Sequence, residues 1–304
     1  MSHKIQATIS LFIFLLTFQA HGLPDGIKLI PNVKYGSAPE QKFDVYKNED
    51  ANDAPVIFMI HGGAWRGGDK ARDAEYINKV MHWVPKGFVF ISTNYRTLPD
   101  VQPNKQHQDV QNAILFAQQH IQKWGGSSKK FILMGHSAGA HLVAYISANS
   151  TSTRKMGIKP WLGTISLDIS AYDIVQRMTS SQPSKFYADT FGQTHKQWKG
   201  ASPYYLLKNK IPPFLAVCSM RSPFACQQAV HFTNKAKSYG TITRVNPVDL
   251  SHGEINSELG KPSCYTSTID RFLLTLLPEL NSVYDNSDKQ LHENCASIQF
   301  SYHI

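Results

Sequence analysis

From Pro55 onward the chain alternates short apolar stretches with helix-like ones, at 56–60, 72–81, 88–93, 109–122, 131–134 and 137–148. Each strand is followed by a helix long enough to return the chain beside it. That rhythm predicts a parallel sheet with crossover helices. It continues through apolar runs at 163–167 and 214–217, a strand near 241–246 and an amphipathic helix over 265–277. Before Pro55, the segments 27–35 and 41–46 read as two strands joined by turn residues, an antiparallel edge. Between 174 and 207 the pattern loosens into a stretch bearing Phe186, Tyr187, Phe191, Trp198, Tyr204 and Tyr205. Such an insertion is either a cap over a site or a surface excursion.

The 304 residues are 42% hydrophobic and 17% charged, enough to bury a sizeable core. No linker, charge block or repeat divides them, so one domain over 23–304 is expected, ending in a polar tail over 278–304. The first residues read differently. Lys4 precedes the apolar run 9–18, and Ala20-His21-Gly22 supplies the small residues of a cleavage site. A leader over 1–22, cut after Gly22, is expected. Its run is short for a bilayer span and no second one follows, which predicts an exported protein without stable membrane insertion.

Export favours disulfides, and the four cysteines pair best as Cys218 with Cys226 and Cys264 with Cys295. The first closes a short loop; the second ties the polar tail to the body. Neither pair has metal-ligand spacing. The formal charge of +9 comes from scattered lysines with no basic cluster or recognition motif, which speaks against nucleic-acid binding.

Directly after the run 130–134 comes Gly135-His136-Ser137-Ala138-Gly139. A strand turning sharply into a helix forces its central serine into strained geometry, and flanking glycines let strand and helix approach. By composition alone such a pattern arises in roughly one chain in ten of this length, so its context decides its meaning. The context is His61-Gly62-Gly63-Ala64-Trp65, immediately after the strand 56–60. A tetrahedral intermediate needs N–H groups aimed at its oxyanion, and this loop offers those of Gly63 and Ala64 beside that of Ala138. His61 is expected to brace the loop.

A serine hydroxyl needs a general base, and histidine is the usual one. Thirteen are present. A base placed in a loop after the last strand selects His252, whereas His136, His141, His195, His231, His292 and His303 fall on the elbow, helices, insertion or tail. The third member is unusual. The loop 218–226, after the penultimate strand, contains no carboxylate, and none occurs between Asp189 and Asp249. Asp168 is the first choice, because it follows the strand 163–167 and emerges at the same sheet edge; Asp173, Asp249 and Glu254 are the alternatives.

These residues resemble the α/β-hydrolase superfamily, in its esterase/lipase branch of hormone-sensitive-lipase-like esterases, feruloyl-esterase-like proteins and kynurenine formamidases. Besides the elbow and the oxyanion loop, Asp44-Val45-Tyr46, Asn94-Tyr95-Arg96, Asp109 and Ala113 match that branch. The resemblance implies an α/β-hydrolase fold with a mostly parallel sheet of about eight strands and helices on both faces. It further implies hydrolysis of a small-molecule carboxylic ester or amide through an acyl-enzyme, without a cofactor. The chain departs from the family at Arg221 and Ser222, where the acid normally stands. Two rivals follow: a binding protein on a hydrolase scaffold, which the intact Ser137 and His252 oppose, and a peptidase, for which no accessory domain is evident.

Overall fold

The computed structural model describes residues 23–180 and 184–299, so the expected leader 1–22 lies outside the described residues. Eight strands form one sheet: β1 (Ile27–Lys34), β2 (Lys42–Asn48), β3 (Ala54–Ile60), β4 (Val89–Thr93), β5 (Gly126–His136), β6 (Gly163–Leu167), β7 (Phe214–Ser219) and β8 (Thr243–Val248). Their order is β1-β2-β4-β3-β5-β6-β7-β8. Strand β2 pairs antiparallel with both β1 and β4, and every pairing from β4 to β8 is parallel.

The helices are α1 (Asp73–Trp83), α2 (Pro103–His120), α3 (Ala138–Ala148), α4 (Ser150–Lys155), α5 (Ile174–Met178), α6 (Lys185–Phe191), α7 (His195–Ala201), α8 (Pro203–Leu206), α9 (Pro223–Ser238), α10 (His252–Ser257), α11 (Cys264–Leu276) and α12 (Asn286–Gln299). Strand β3 shows why they cover both faces. Alternate side chains of a strand point to opposite sides, and all seven residues of β3 are buried. Val56, Phe58 and Ile60 join Val110, Ile114, Val143 and Ile146 of α2 and α3. Ile57 and Met59 join Val80, Trp83, Ile269 and Phe272 of α1 and α11.

Three elements differ from expectation. Helix α2 begins at Pro103, six residues before 109, because Pro103 sits in the first turn, where its missing N–H costs no hydrogen bond. His252 opens helix α10 instead of lying in a loop, since Ser251 and Glu254 form a capping box at that point. The polar tail is helical: Cys264–Cys295 fastens α12 to α11, and the Tyr284 hydroxyl donates to Asp270 at 2.9 Å. Cysteines 218 and 226 form the other disulfide. Among the described residues, no helix is long and apolar enough to cross a membrane.

Candidate active site

Ser137 sits between β5 and α3 at φ 55° and ψ −118°. For a residue with a side chain this geometry costs about 1–3 kcal/mol and persists only where the surroundings hold it. Two features do so. The Ser137 N–H donates to Leu167 O at 3.0 Å, binding the elbow to β6. A Cβ at Gly139 would collide with the carbonyl oxygen of Ile60, so only glycine lets α3 lie this close to β3.

The Ser137 hydroxyl lies 2.9 Å from His252 Nε2, and His252 Nδ1 lies 2.6 Å from Asp168 Oδ2. Asp168, 2% exposed, follows β6 with φ 50°. Its other oxygen accepts the Ser219 N–H at 2.8 Å, and its own N–H donates to Val217 O at 2.9 Å. The end of β7 thus supplies a donor that fixes the carboxylate. His252 is held from behind, because the His136 Nε2–H donates to its carbonyl at 2.8 Å. Burial, reinforced by the neighbouring His252 ring, pushes His136 down to about 3, so it is neutral at neutral pH.

The alternatives to Asp168 point elsewhere. Arg221 forms ion pairs with Asp249 at 2.8 Å and Glu254 at 3.0 Å on the surface. Asp173 caps α5, accepting the Gln176 N–H at 2.9 Å, and lies 3.6 Å from His231.

Along the loop after β3, Gly63, Ala64 and Trp65 have φ of 119°, 58° and 60°, an irregular turn that leaves backbone donors unused. Among the described residues, the N–H groups of Gly63, Ala64 and Ala138 have no acceptor. The loop packs on the elbow so closely that a Cβ at Gly62 would lie 3.0 Å from the Ser137 Cβ. His61 braces it: its Nδ1–H donates to Gly62 O at 2.6 Å, and its ring stacks on Tyr95 with centroids 4.5 Å apart. Burial pushes His61 down to about 4, which keeps it a neutral donor. Trp65 donates to His141 Nδ1 at 3.2 Å, and His141 Nε2–H donates to Ala201 O at 2.8 Å, joining loop, elbow helix and α7.

Sequence reasoning missed a buried group behind the site. Glu75 Oε1 accepts the Gly62 N–H at 3.4 Å. One helical turn on, the Lys79 ammonium donates to Ala74 O and Asn256 O, each at 2.7 Å, and to Asn256 Oδ1 at 2.9 Å. Asn256 lies on the helix that His252 begins, so α1 holds both the loop after β3 and the histidine. The i, i+4 spacing of an acid and a base was the available signal, but such pairs usually face solvent.

The insertion 174–207 folds as the short helices α5–α8, and its aromatic side chains pack on Trp65. Ring centroids of Phe191, Tyr187 and Phe186 lie 4.8, 6.0 and 6.2 Å from that of Trp65. No cluster of three or more His, Cys, Asp or Glu suited to a metal ion occurs among the described residues.

This sheet, elbow and crossover pattern define an α/β-hydrolase of the esterase/lipase branch. The model of the BD-FAE family matches residues 43–235, and the chain belongs to that family. It is 26% identical over 223 residues to the esterase LipC of Mycobacterium tuberculosis, covering 68% of this chain and 54% of that one. Kynurenine formamidase of Salmo salar is 29% identical over 160 residues, covering 52% and 50% respectively. The chain spans about half the length of the curated relatives it matches. Among solved structures, esterase B from Lactobacillus rhamnosis superposes with a TM-score of 0.65, at 18% identity, over 88% of this chain and 89% of that one. For esterase 2 of Thermogutta terrifontis the TM-score is 0.65, at 19% identity, over 83% and 95%. At such identities the solved structures establish the fold alone.

Proposed function

We propose that this chain is an exported serine hydrolase that cleaves a small carboxylic ester through an acyl-enzyme. The observation that carries the reading is the unbroken path from Ser137 Oγ to His252 at 2.9 Å and on to Asp168 at 2.6 Å. His252 takes the Ser137 proton as the oxygen attacks the acyl carbonyl, and Asp168 holds the imidazole tautomer and stabilises the imidazolium. The N–H groups of Gly63, Ala64 and Ala138 receive the oxyanion. Collapse expels the alcohol, protonated by His252; water then attacks the acyl-enzyme by the same route and releases the acid. The segment 174–207 serves as a cap, an assignment its packing on Trp65 supports. Export rests on the leader-like residues 1–22 and the two disulfides.

Hydrolysis of p-nitrophenyl acetate and butyrate by the chain and by Ser137→Ala tests the reading. The substitution is expected to lower kcat by about 10⁴-fold or more, and to abolish labelling by a fluorophosphonate. Turnover that does not depend on Ser137 would overturn it. The formamidase relative motivates a second reading, hydrolysis of an aryl-formamide, for which formanilide serves as a parallel substrate.

A further inference from the structure

Arg177, on α5, carries a guanidinium with no counter-ion among the described residues. Among the described residues it forms no ion pair and no side-chain hydrogen bond, and its Nε is buried without a partner. Two aromatic rings hold it instead: the guanidinium carbon lies 4.8 Å from the Phe224 ring centroid and 5.7 Å from that of Tyr187. Both contacts favour a cation but satisfy none of its five N–H groups. The Tyr187 hydroxyl is likewise without a hydrogen-bond partner among the described residues.

Position gives this group its meaning. Tyr187 packs on Trp65 of the loop after β3, and Phe224 lies in the first turn of α9, after β7. Strands β5 and β6 run between β3 and β7, and their ends carry Ser137 and Asp168. The series Trp65–Tyr187–Arg177–Phe224 therefore links the loop after β3 to the first turn of α9, from the carboxyl end of β3 to that of β7, three strand spacings of about 4.8 Å each, the same sheet edge at which β5 and β6 end in Ser137 and Asp168. Burial pushes the Tyr187 phenol up to about 12; Arg177 opposes the rise and Asp168 adds to it, as expected if both charges lie near that ring. No ion pair joins Arg177 to Asp168, so its charge remains available to a ligand.

We propose that Arg177 is an anion-binding residue of the substrate pocket, and that the preferred esters carry a carboxylate in their acyl or alcohol portion. Resting on the ester-hydrolase reading above, this assignment names the substrate class. A planar guanidinium pre-set between rings presents its fork to a carboxylate at little entropic cost. The chain's net charge of +9 draws such substrates in.

The test compares kcat/KM within two pairs of probes, with spontaneous hydrolysis subtracted. For the alcohol side these are 4-acetoxybenzoate and 4-methylphenyl acetate; for the acyl side, the p-nitrophenyl monoester of adipic acid and p-nitrophenyl hexanoate. In one pair the anionic ester is expected to be favoured about tenfold or more, and that pair locates the anion. Arg177→Met should cut the ratio by about tenfold or more, while Arg177→Lys retains part of it. The wild-type preference should also weaken as salt rises. Ser137-dependent hydrolysis of the neutral esters with no anionic preference, or a ratio unchanged in Arg177→Met, overturns the assignment and leaves the hydrolase reading standing. Absence of Ser137-dependent hydrolysis of every probe overturns the hydrolase reading itself. If Arg177→Met fails to fold, a wild-type ratio near one still overturns the assignment, and Arg177→Lys carries the comparison: a ratio equal to that of the parent overturns it, and a partial loss supports it.

Discussion

Asp168 Oδ2 and His252 Nδ1 meet at 2.6 Å across 84 residues of chain, and the same carboxylate is fixed by the Ser219 N–H. On the proposed mechanism, Asp168→Asn keeps an acceptor for Ser219 but presents an amide to His252 and selects the wrong tautomer. The expected result is a fall in kcat of about 10³–10⁴-fold with little change in Tm. Asp249→Asn and Glu254→Gln should stay within about threefold of the parent, since their carboxylates face Arg221 and surface pairs contribute little. Near-normal turnover by Asp168→Asn would reassign the acid.

Lys79 joins α1 to the helix that begins with His252. Lys79→Met removes the donor while leaving the Asn256 acceptors buried, which should cost about 2–4 kcal/mol in chemical denaturation. The misplaced histidine should lower kcat about tenfold, with KM less affected. Equal kcat in the two proteins would confine Lys79 to a stabilising role.

Acid should destabilise the fold above the range in which most carboxylates titrate. Burial is the main cause that lowers His61, His107 and His141 to about 4 and His136 to about 3, from an ordinary 6.5. Unfolded, these rings gain protons below 6.5; folded, they gain them only near 3–4. Their contribution is therefore complete above pH 6.5 and is lost as pH falls toward 4, by about 1.4 kcal/mol per pH unit for each ring. Glu75, raised by burial, opposes this with the contrary sign. Urea denaturation at pH 7.5, 6 and 5 measures the slope; a stability independent of pH over that range would show that these rings do not stay neutral.

The two disulfides should separate in effect. Cys264–Cys295 spans 31 residues and restrains the unfolded chain, so Cys264→Ser with Cys295→Ser should lose about 3–4 kcal/mol while specific activity at 25 °C changes little. Cys218–Cys226 encloses the Ser219 that supports Asp168, so the corresponding double substitution should lower kcat as well. The comparison fails if both pairs alter kcat alike.

Much of this arrangement was legible in the residues. Strand β6 matches the expected 163–167, because its apolar run has a clear start and stop, and Ser137 and His252 were marked by their neighbours in sequence. Which carboxylate meets His252 was less so. Asp249 and Glu254 are nearer His252 along the chain, and only the folded position of Arg221 shows why they turn away. Glu75 and Lys79 spell an exposed helical pair, and their burial depends on the carbonyl of Asn256, 177 residues from Lys79. Helix α12 was hidden by its polarity, since much of what holds it is a disulfide and the buried Tyr284–Asp270 bond.

With the carboxylate at the end of β6, the proposed mechanism puts proton handling and substrate recognition on separate segments of the chain. The loop after β7 need only offer one main-chain N–H, a demand that almost any residue meets. Its side chains are then at liberty to vary, and Phe224, just beyond it, already packs against the guanidinium proposed above to bind an anion. Relatives sharing this arrangement are expected to diversify their substrates through residues 220–225 without disturbing the relay, and a motif search demanding an acid in that loop will pass over all of them.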